Sequence, residues 1–437
     1  MLMFFSYVLL FALLGTITGV LTGLTPGLHV NTVSLLLLGL SSGILSMLSY
    51  TSLSFYFLPL LLAVYVVSTS IAHTFLDFIP STFLGVPEAD TALSVLPAHR
   101  LVLQGKGYNA VYLSAVGSAF AIFLGFCMLL PFAFLLGKPV NLYQFLQDSI
   151  PLILFFLVGL LIVTETASIG GSHLMGIMAA MGVFLLSGAL GYTALTLPSV
   201  SPFGLFSTVL FPLFSGLFGL STLLLSVVGQ DRNEIPVQKI DSITVEHQQI
   251  GYASTGTLAG SIVGFLPGIS SAHAAVIALL PSKGGNKDNT EAVILTLGAV
   301  NTSNALFVLA ALFLIGRARS GVASAVMNFL PLNGWEFPFP FFFSILLMAV
   351  LFSASTAFFI TLLTGRLTAI NISRLPYQKF VWGIVMLVTV LVFAFNGFLG
   401  LFILLVSTAV GMIPPFLGVR RSHLMGVLLF PVIIYLF

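Results

Sequence analysis

Runs of about twenty apolar residues follow one another along almost the whole of this chain. As helix, each is long enough to cross the ~30 Å hydrocarbon core of a bilayer. Every backbone polar group in lipid must find an internal partner, which leaves only helices and closed barrels. A barrel would show short alternating strands and a polar lumen pattern, and the sequence has neither. Only 6% of the 437 residues are charged and 58% are hydrophobic, whereas a soluble domain carries roughly 25% charged residues to face water. The expected fold is therefore all-α and polytopic, a multi-pass protein of the cell membrane with the lipid bilayer as its first partner.

Two function classes drop out early. The net charge is +2 with no basic tract, so no nucleic acid partner is expected. A single cysteine, Cys127, excludes an internal disulfide and a thiolate metal cluster. Met1 to Leu14 has the apolar character of a signal peptide but lacks a basic leading region, and it reads as a retained first helix.

Two stretches 241 positions apart read almost alike: Gly15-Thr-Ile-Thr-Gly-Val-Leu-Thr-Gly-Leu-Thr-Pro-Gly27 and Gly256-Thr-Leu-Ala-Gly-Ser-Ile-Val-Gly-Phe-Leu-Pro-Gly268. Ser172-His-Leu-Met-Gly176 likewise recurs as Ser422-His-Leu-Met-Gly426, 250 positions on. Two matches in the same order at nearly the same offset indicate an internal duplication. Residues 1–228 form repeat one, 229–250 a polar extramembrane linker with mixed charge, and 251–437 repeat two. An odd number of crossings per half makes the repeats inverted, the arrangement expected here, with broken or re-entrant helices meeting near the membrane midplane.

Helices are expected over 3–22, 28–48, 54–75, 108–136, 141–164, 173–195 and 203–228 in the first half. The second half offers 251–265, 269–281, 289–315, 337–364, 378–396, 398–417 and 423–437. Segments 251–265 and 269–281 are too short to span alone, as broken helices are.

The repeated element has a physical logic. Glycines four apart line one helix face and let a second backbone approach closely. Pro-Gly then breaks the helix, because proline lacks a donor and glycine accepts unusual dihedrals. A helix starting just after the break would turn its free N–H groups and positive dipole end towards it, a ready place for carboxylate or phosphate oxygens. A packing kink in an ordinary hairpin is the alternative. The substrate-binding candidates are Thr25, Pro26, Gly27, His29, Asn31 and Thr32, with Pro267, Gly268, Ser270, Ser271 and His273 in the second half. Serine and threonine there also have the option of bonding back to their own helix.

Two further polar clusters lie in helix-like surroundings: Ser68, Thr69 and Ser70, with His73 and Thr74 close by, and Asn301, Thr302, Ser303 and Asn304. Four consecutive polar residues cannot share one helix stripe, so 301–304 reads as a second unwound point able to coordinate an ion; helix–helix hydrogen bonding is the alternative. Asp77 and Glu165 stand at apparent membrane depth, where a charge costs at least ~3 kcal/mol, and Asp77 joins the ion-coupling candidates. Arg100, Arg317 and Arg319 are cations available to a substrate anion, while Arg420 and Arg421 read as anchors of a helix end at the cytoplasmic interface. No cofactor or bound metal is expected beyond a coupling sodium ion or proton.

The paired Gly-x3-Gly-x2-Pro-Gly elements resemble those of the large permease subunit of tripartite tricarboxylate transporters. So do Pro80-Ser-Thr-Phe-Leu-Gly-Val-Pro87, Gly105-Lys-Gly107 and the small-residue helix with Gly117-Ser118. The family's usual Asn-x-Pro-Gly reads Gly85-Val86-Pro87-Glu88 here, and its Asp-Gly is absent before Pro97, which marks a divergent branch, an archaeal one among the options. The resemblance implies ion-driven secondary transport of a carboxylated small anion such as a di- or tricarboxylate, together with a small membrane subunit and an extracytoplasmic binding protein.

The alternative is a carrier or flippase for a lipid-linked phosphate. A membrane-embedded enzyme is disfavoured, because the sequence holds neither His-Glu-x2-His metal spacing nor a Gly-x-Ser-x-Gly nucleophile turn.

Overall fold

The computed structural model describes residues 2–26, 57–87, 91–137, 140–165, 167–198, 200–204, 208–228, 235–240, 247–266, 271–279, 290–332, 338–372 and 376–436, with isolated positions between 30 and 41 and at 334, 335 and 374. Helix α1 (Leu2–Leu24) is followed by α2 (Leu58–Leu76) and the short α3 (Phe78–Phe83). A 3-10 turn at Ala92–Ser94 opens α4 (Val95–Leu103), and α5 (Gly107–Leu136), α6 (Leu142–Val163) and α7 (His173–Thr196) come next. Then α8 (Leu210–Phe214) passes through a π-helical stretch, Ser215–Leu220, into α9 (Ser221–Val228). The second half holds α10 (His247–Phe265), α11 (Ser271–Leu279), α12 (Thr290–Ile315), α13 (Gly321–Phe329), α14 (Phe341–Ile372) and α15 (Tyr377–Leu417). A 3-10 turn at Arg421–Met425 leads into the last helix, α16 (Gly426–Leu436).

The protein is an all-α polytopic membrane protein: seven described helices are long and apolar enough to cross a bilayer, and no strand occurs among the described residues. Two of the seven form its centre. The α2 span is 83% buried and the α12 span 78%, against 28–50% for the other five. The reason is chemical, since these two carry the serine, threonine, histidine and asparagine side chains that hydrocarbon cannot solvate. The others turn Leu9, Leu21, Phe123, Phe359 and Met386 outward as a lipid-facing surface.

Glycines set how closely the central helices are approached. An added Cβ at Gly19 would lie 2.4 Å from the Thr69 carbonyl oxygen on α2, and one at Gly260 2.5 Å from the Val300 carbonyl oxygen on α12. Gly15 meets Tyr65 as Gly256 meets Thr296, and Gly23 meets Leu76 as Gly264 meets Phe307. In each of these comparisons the partner positions differ by 231: Tyr65 and Thr296, Thr69 and Val300, Leu76 and Phe307. The α1–α2 and α10–α12 pairs therefore pack in the same register.

The second sequence match does not share surroundings in this way. Ser172 caps α7 with His173, Leu174 and Met175 near the surface, whereas His423 is fully buried and Gly426 packs on the Phe184 carbonyl of α7.

As expected, 378–396 and 398–417 are two helices: α15 is broken at Gly397, which takes φ 62, a left-handed value that favours glycine. Other boundaries differ from expectation. Expected helix 203–228 begins only at Leu210, and 337–364 is displaced to Phe341–Ile372. Helices α4 and α13 were not anticipated, because each is only nine residues long and carries polar residues. Expected helix 28–48 lies largely outside the described residues.

Candidate functional site

Helix α4 is short because its end is closed tightly. Gly105 takes φ 77, its N–H bonds the Val102 carbonyl, and the Lys106 N–H reaches back to Leu101 at 2.7 Å, a Schellman closure. Ala98, Leu101 and Val102 are buried on one face, while His99, Arg100 and Leu103 border a chamber of about 1010 Å³. Its other walls come from both sequence halves: Glu165, Phe218 and Thr222 from the first, and Tyr252, Val276, Thr296 and the 415–422 segment from the second.

Among the described residues, the chamber's charge is predominantly positive, with Arg100, Arg420 and Arg421 against Glu165. Glu165 is buried and saturated: its Oε1 accepts from the Ala167 N–H at 3.0 Å, and its Oε2 accepts from the Arg420 backbone N–H at 3.0 Å and from Arg420 Nε at 3.3 Å. His423 Nε2 lies 2.7 Å from the same oxygen. Burial opposes charge on this carboxyl, but the hydrogen bonds from His423 and Arg420 outweigh it and hold Glu165 well below the usual carboxylate range. Arg420 is thereby neutralised.

Arg421 is not. Its guanidinium donates to Thr222 Oγ1 and to Ser221 Oγ, both neutral, and its Nε has no partner. Among the described residues no carboxylate pairs with Arg421 or Arg100. Two arginines around a partly apolar cavity suit an oxyanion carrying more than one charge.

A polar layer lies beyond the chamber wall. Thr296 borders the chamber, and Asn301 follows five residues later on the continuous α12, a rise of about 7.5 Å. Asn301 Nδ2 donates to Asp77 Oδ2 at 2.8 Å, and the Thr74 and Thr302 hydroxyls are 3.2 Å apart. His73 Nδ1 lies 3.0 Å from Thr22 Oγ1. Thus Asp77 and Asn301, read separately from the sequence, meet across the interface of the two central helices. Asp77 sits at the joint between α2 and α3, where its N–H still bonds the His73 carbonyl.

The other anticipated residues are placed variously. The run 301–304 is not unwound: α12 is continuous, because Asn301 and Thr302 reach across to Asp77 and to Thr74 of α2 while Ser303 donates back to the Val300 carbonyl. Asn304 is half-buried with its Oδ1 unpartnered. Thr69 donates to the Gly15 carbonyl at 3.0 Å, the Ser68 carbonyl accepts from Ser353, and Ser70 is buried nearby. Thr25 bonds back to the Leu21 carbonyl and Pro26 is buried. The side-chain oxygen of Asn31 accepts the Val322 N–H at 3.3 Å, tying it to the first turn of α13. Ser271 and His273 are buried in the opening turn of α11. Gly27, His29, Thr32, Pro267, Gly268 and Ser270 lie outside the described residues.

Arg100, singled out from the sequence, borders the chamber, and so do two arginines read only as helix-end anchors. Arg420 and Arg421 border the chamber through Glu165, Ser221 and Thr222, more than 190 positions away, so they do more than anchor a helix end. Glu165 and Arg421 were both visible as ionisable residues beside apolar runs, but nothing local linked them. His99 carried no signal.

A family profile described as the tripartite tricarboxylate transporter TctA family matches residues 9–426. The chain belongs to this family. It is also 29% identical over 441 residues to an uncharacterized protein of Methanocaldococcus jannaschii, the match covering 98% of each chain. No solved structure matches. Membership places the protein among transporter permeases of the tripartite type, as the resemblance implied, and the distant relative agrees with a divergent branch.

Proposed function

We propose that this TctA-family protein is a secondary active transporter for a carboxylated organic anion, a di- or tricarboxylate, in the cell membrane. The observation that carries the reading is Arg421: a half-buried guanidinium on the chamber wall that, among the described residues, has hydroxyl partners alone and an unpartnered Nε. A guanidinium in that state gains from a carboxylate that brings the missing acceptors. Arg100 offers a second charge. The Asp77–Asn301 pair, set between helices from the two halves, is the coupling site for sodium or a proton, since an acidic group at that depth must face a partner ion or protonate.

The identical packing register of the α1–α2 and α10–α12 pairs supports two repeats, which in a transporter of this layout would be inverted about the membrane plane. Tripartite family membership supports a small membrane subunit and an extracytoplasmic binding protein as partners.

The test is uptake into proteoliposomes of purified protein under an imposed sodium or proton gradient, with a radiolabelled tricarboxylate and a dicarboxylate as probes. Accumulation is expected under one gradient. Arg421→Gln should raise the half-saturating concentration about 10- to 100-fold, the worth of one or two charge-assisted hydrogen bonds. No accumulation under either gradient, with flipping of a labelled lipid phosphate instead, replaces this reading with the amphiphile carrier.

A further inference from the structure

The polar stretch between the two halves does more than connect them. Residues 235–240 lie as a strap over the turn between α4 and α5, with Ile235 and Gln238 buried. Gln238 makes the closest attachment. Its Oε1 accepts the Gly107 N–H at 2.7 Å, satisfying one of the free donors at the start of α5. Its Nε2 donates to the Val102 carbonyl at 3.0 Å, at the end of α4. One residue on, the Lys239 N–H donates to the Gly105 carbonyl at 2.7 Å.

The Gly105-Lys-Gly107 motif now has a physical reason. Gly105 needs its positive φ to close α4, and an added Cβ there would lie 2.9 Å from the Val237 carbonyl oxygen. At Gly107 an added Cβ would lie 2.7 Å from Gln238 Oε1. The motif is shaped to receive the strap. Between the two glycines, Lys106 pairs with Glu291 at 3.6 Å on the first turn of α12, where Thr290 and Ala292 border the chamber.

The helix held in this way carries chamber residues. Val102, whose carbonyl Gln238 engages, sits two residues after Arg100 and one before Leu103, both on the chamber wall. We infer that Gln238 is a positioning residue for anion binding: from the inter-repeat linker, it fixes the end of α4 and so the place of Arg100 in the chamber. The inference rests on the proposed reading of the chamber as the substrate site. Gln238 itself touches no solute. Its removal frees α4 to shift, so apparent affinity falls while the turnover of a loaded carrier is untouched.

The experiment pairs a substrate-dependent arm with one that needs no substrate. In proteoliposomes with radiolabelled citrate, Gln238→Ala should raise the half-saturating concentration about fivefold to tenfold at unchanged maximal rate, as expected for one or two lost hydrogen bonds. The double variant Gln238→Ala/Arg100→Gln should be no worse than Arg100→Gln alone, because Gln238 acts through Arg100. In the second arm, Arg100→Cys in a Cys127→Ser background is labelled with a small anionic thiol reagent. Adding Gln238→Ala should change its labelling rate severalfold. If Gln238→Ala fails to insert, Gln238→Glu keeps the acceptor for Gly107 but loses the donor to Val102, and serves in both arms.

A fall in maximal rate at unchanged half-saturation, additive effects in the double variant, or an unaltered labelling rate each overturns the inference. If the wild type carries neither citrate nor a dicarboxylate, the carboxylate reading fails and the labelling arm alone decides the strap's role.

Discussion

Glu165→Gln removes one charge while keeping the size and shape of the side chain. In the wild type, Oε2 collects three donors, from the Arg420 backbone, Arg420 Nε and His423 Nε2, at 3.0, 3.3 and 2.7 Å. The amide nitrogen of glutamine in that position is itself a donor and has no acceptor to offer the three donors facing it, and turning the amide over would set it against the Ala167 N–H instead. The ion pair with Arg420 contributes little by itself, about 0.5 kcal/mol, because that side chain is 31% exposed. The charge-assisted bonds inside the protein weigh more, at roughly 1.5–3 kcal/mol each before relaxation. Allowing for reorientation of His423, the expected loss is about 2–4 kcal/mol at pH 7.

The assay is thermal unfolding in detergent at several pH values. Because the folded-state acid constant of Glu165 is depressed, its stabilisation is full above the unfolded carboxylate value and fades as pH falls towards the folded one. The gap between wild type and Glu165→Gln should therefore hold from pH 7 to about pH 5 and narrow below about 4.3. Equal stability at pH 7, or a gap indifferent to acidification, would refute the assignment of Glu165 as a charged clasp. Loosening the segment that carries Arg421 should also weaken uptake.

Asp77→Asn preserves the shape of the Asp77–Asn301 pair and removes its charge; gradient-driven accumulation should fall to simple equilibration while substrate exchange across the membrane persists, and unchanged gradient dependence would exclude Asp77 as the coupling group. Gly260→Ala sets a Cβ 2.1 Å from Ser303 Oγ and 2.5 Å from the Val300 carbonyl oxygen, so yield and melting temperature should drop by the equivalent of about 1–3 kcal/mol. Gly182→Ala, which meets nothing within 4 Å, should leave melting unchanged or raised, by up to about 1 kcal/mol of helix propensity.

The apolar spans were readable because lipid permits only one backbone solution for them, and α1, α5, α7 and α12 fall within a few residues of expectation. What escaped was assembled at a distance. Helix α4 hides behind Pro97, His99 and Arg100, which break the apolar pattern that marks the other helices. The chamber draws its wall from segments near 92–103, 161–167, 218–225 and 415–422, and no window of sequence contains such a site. Asp77 and the 301–304 run were singled out for polarity alone; that they touch depends on α2 and α12 lying side by side, and that α12 stays helical depends on each polar side chain finding a different acceptor or neighbour.

The glycine-faced pairs keep one register although their connections differ in length. From Gly15 to its contact at Tyr65 is 50 positions, and from Gly256 to its contact at Thr296 only 40. The first connection is thus ten positions longer than the second, yet the seam keeps the same register in both pairs. Any side chain on that seam would wedge two backbones apart, so sequence drift has nowhere to act but in the connection. The connections can therefore vary in length while the helices stay clasped in one way.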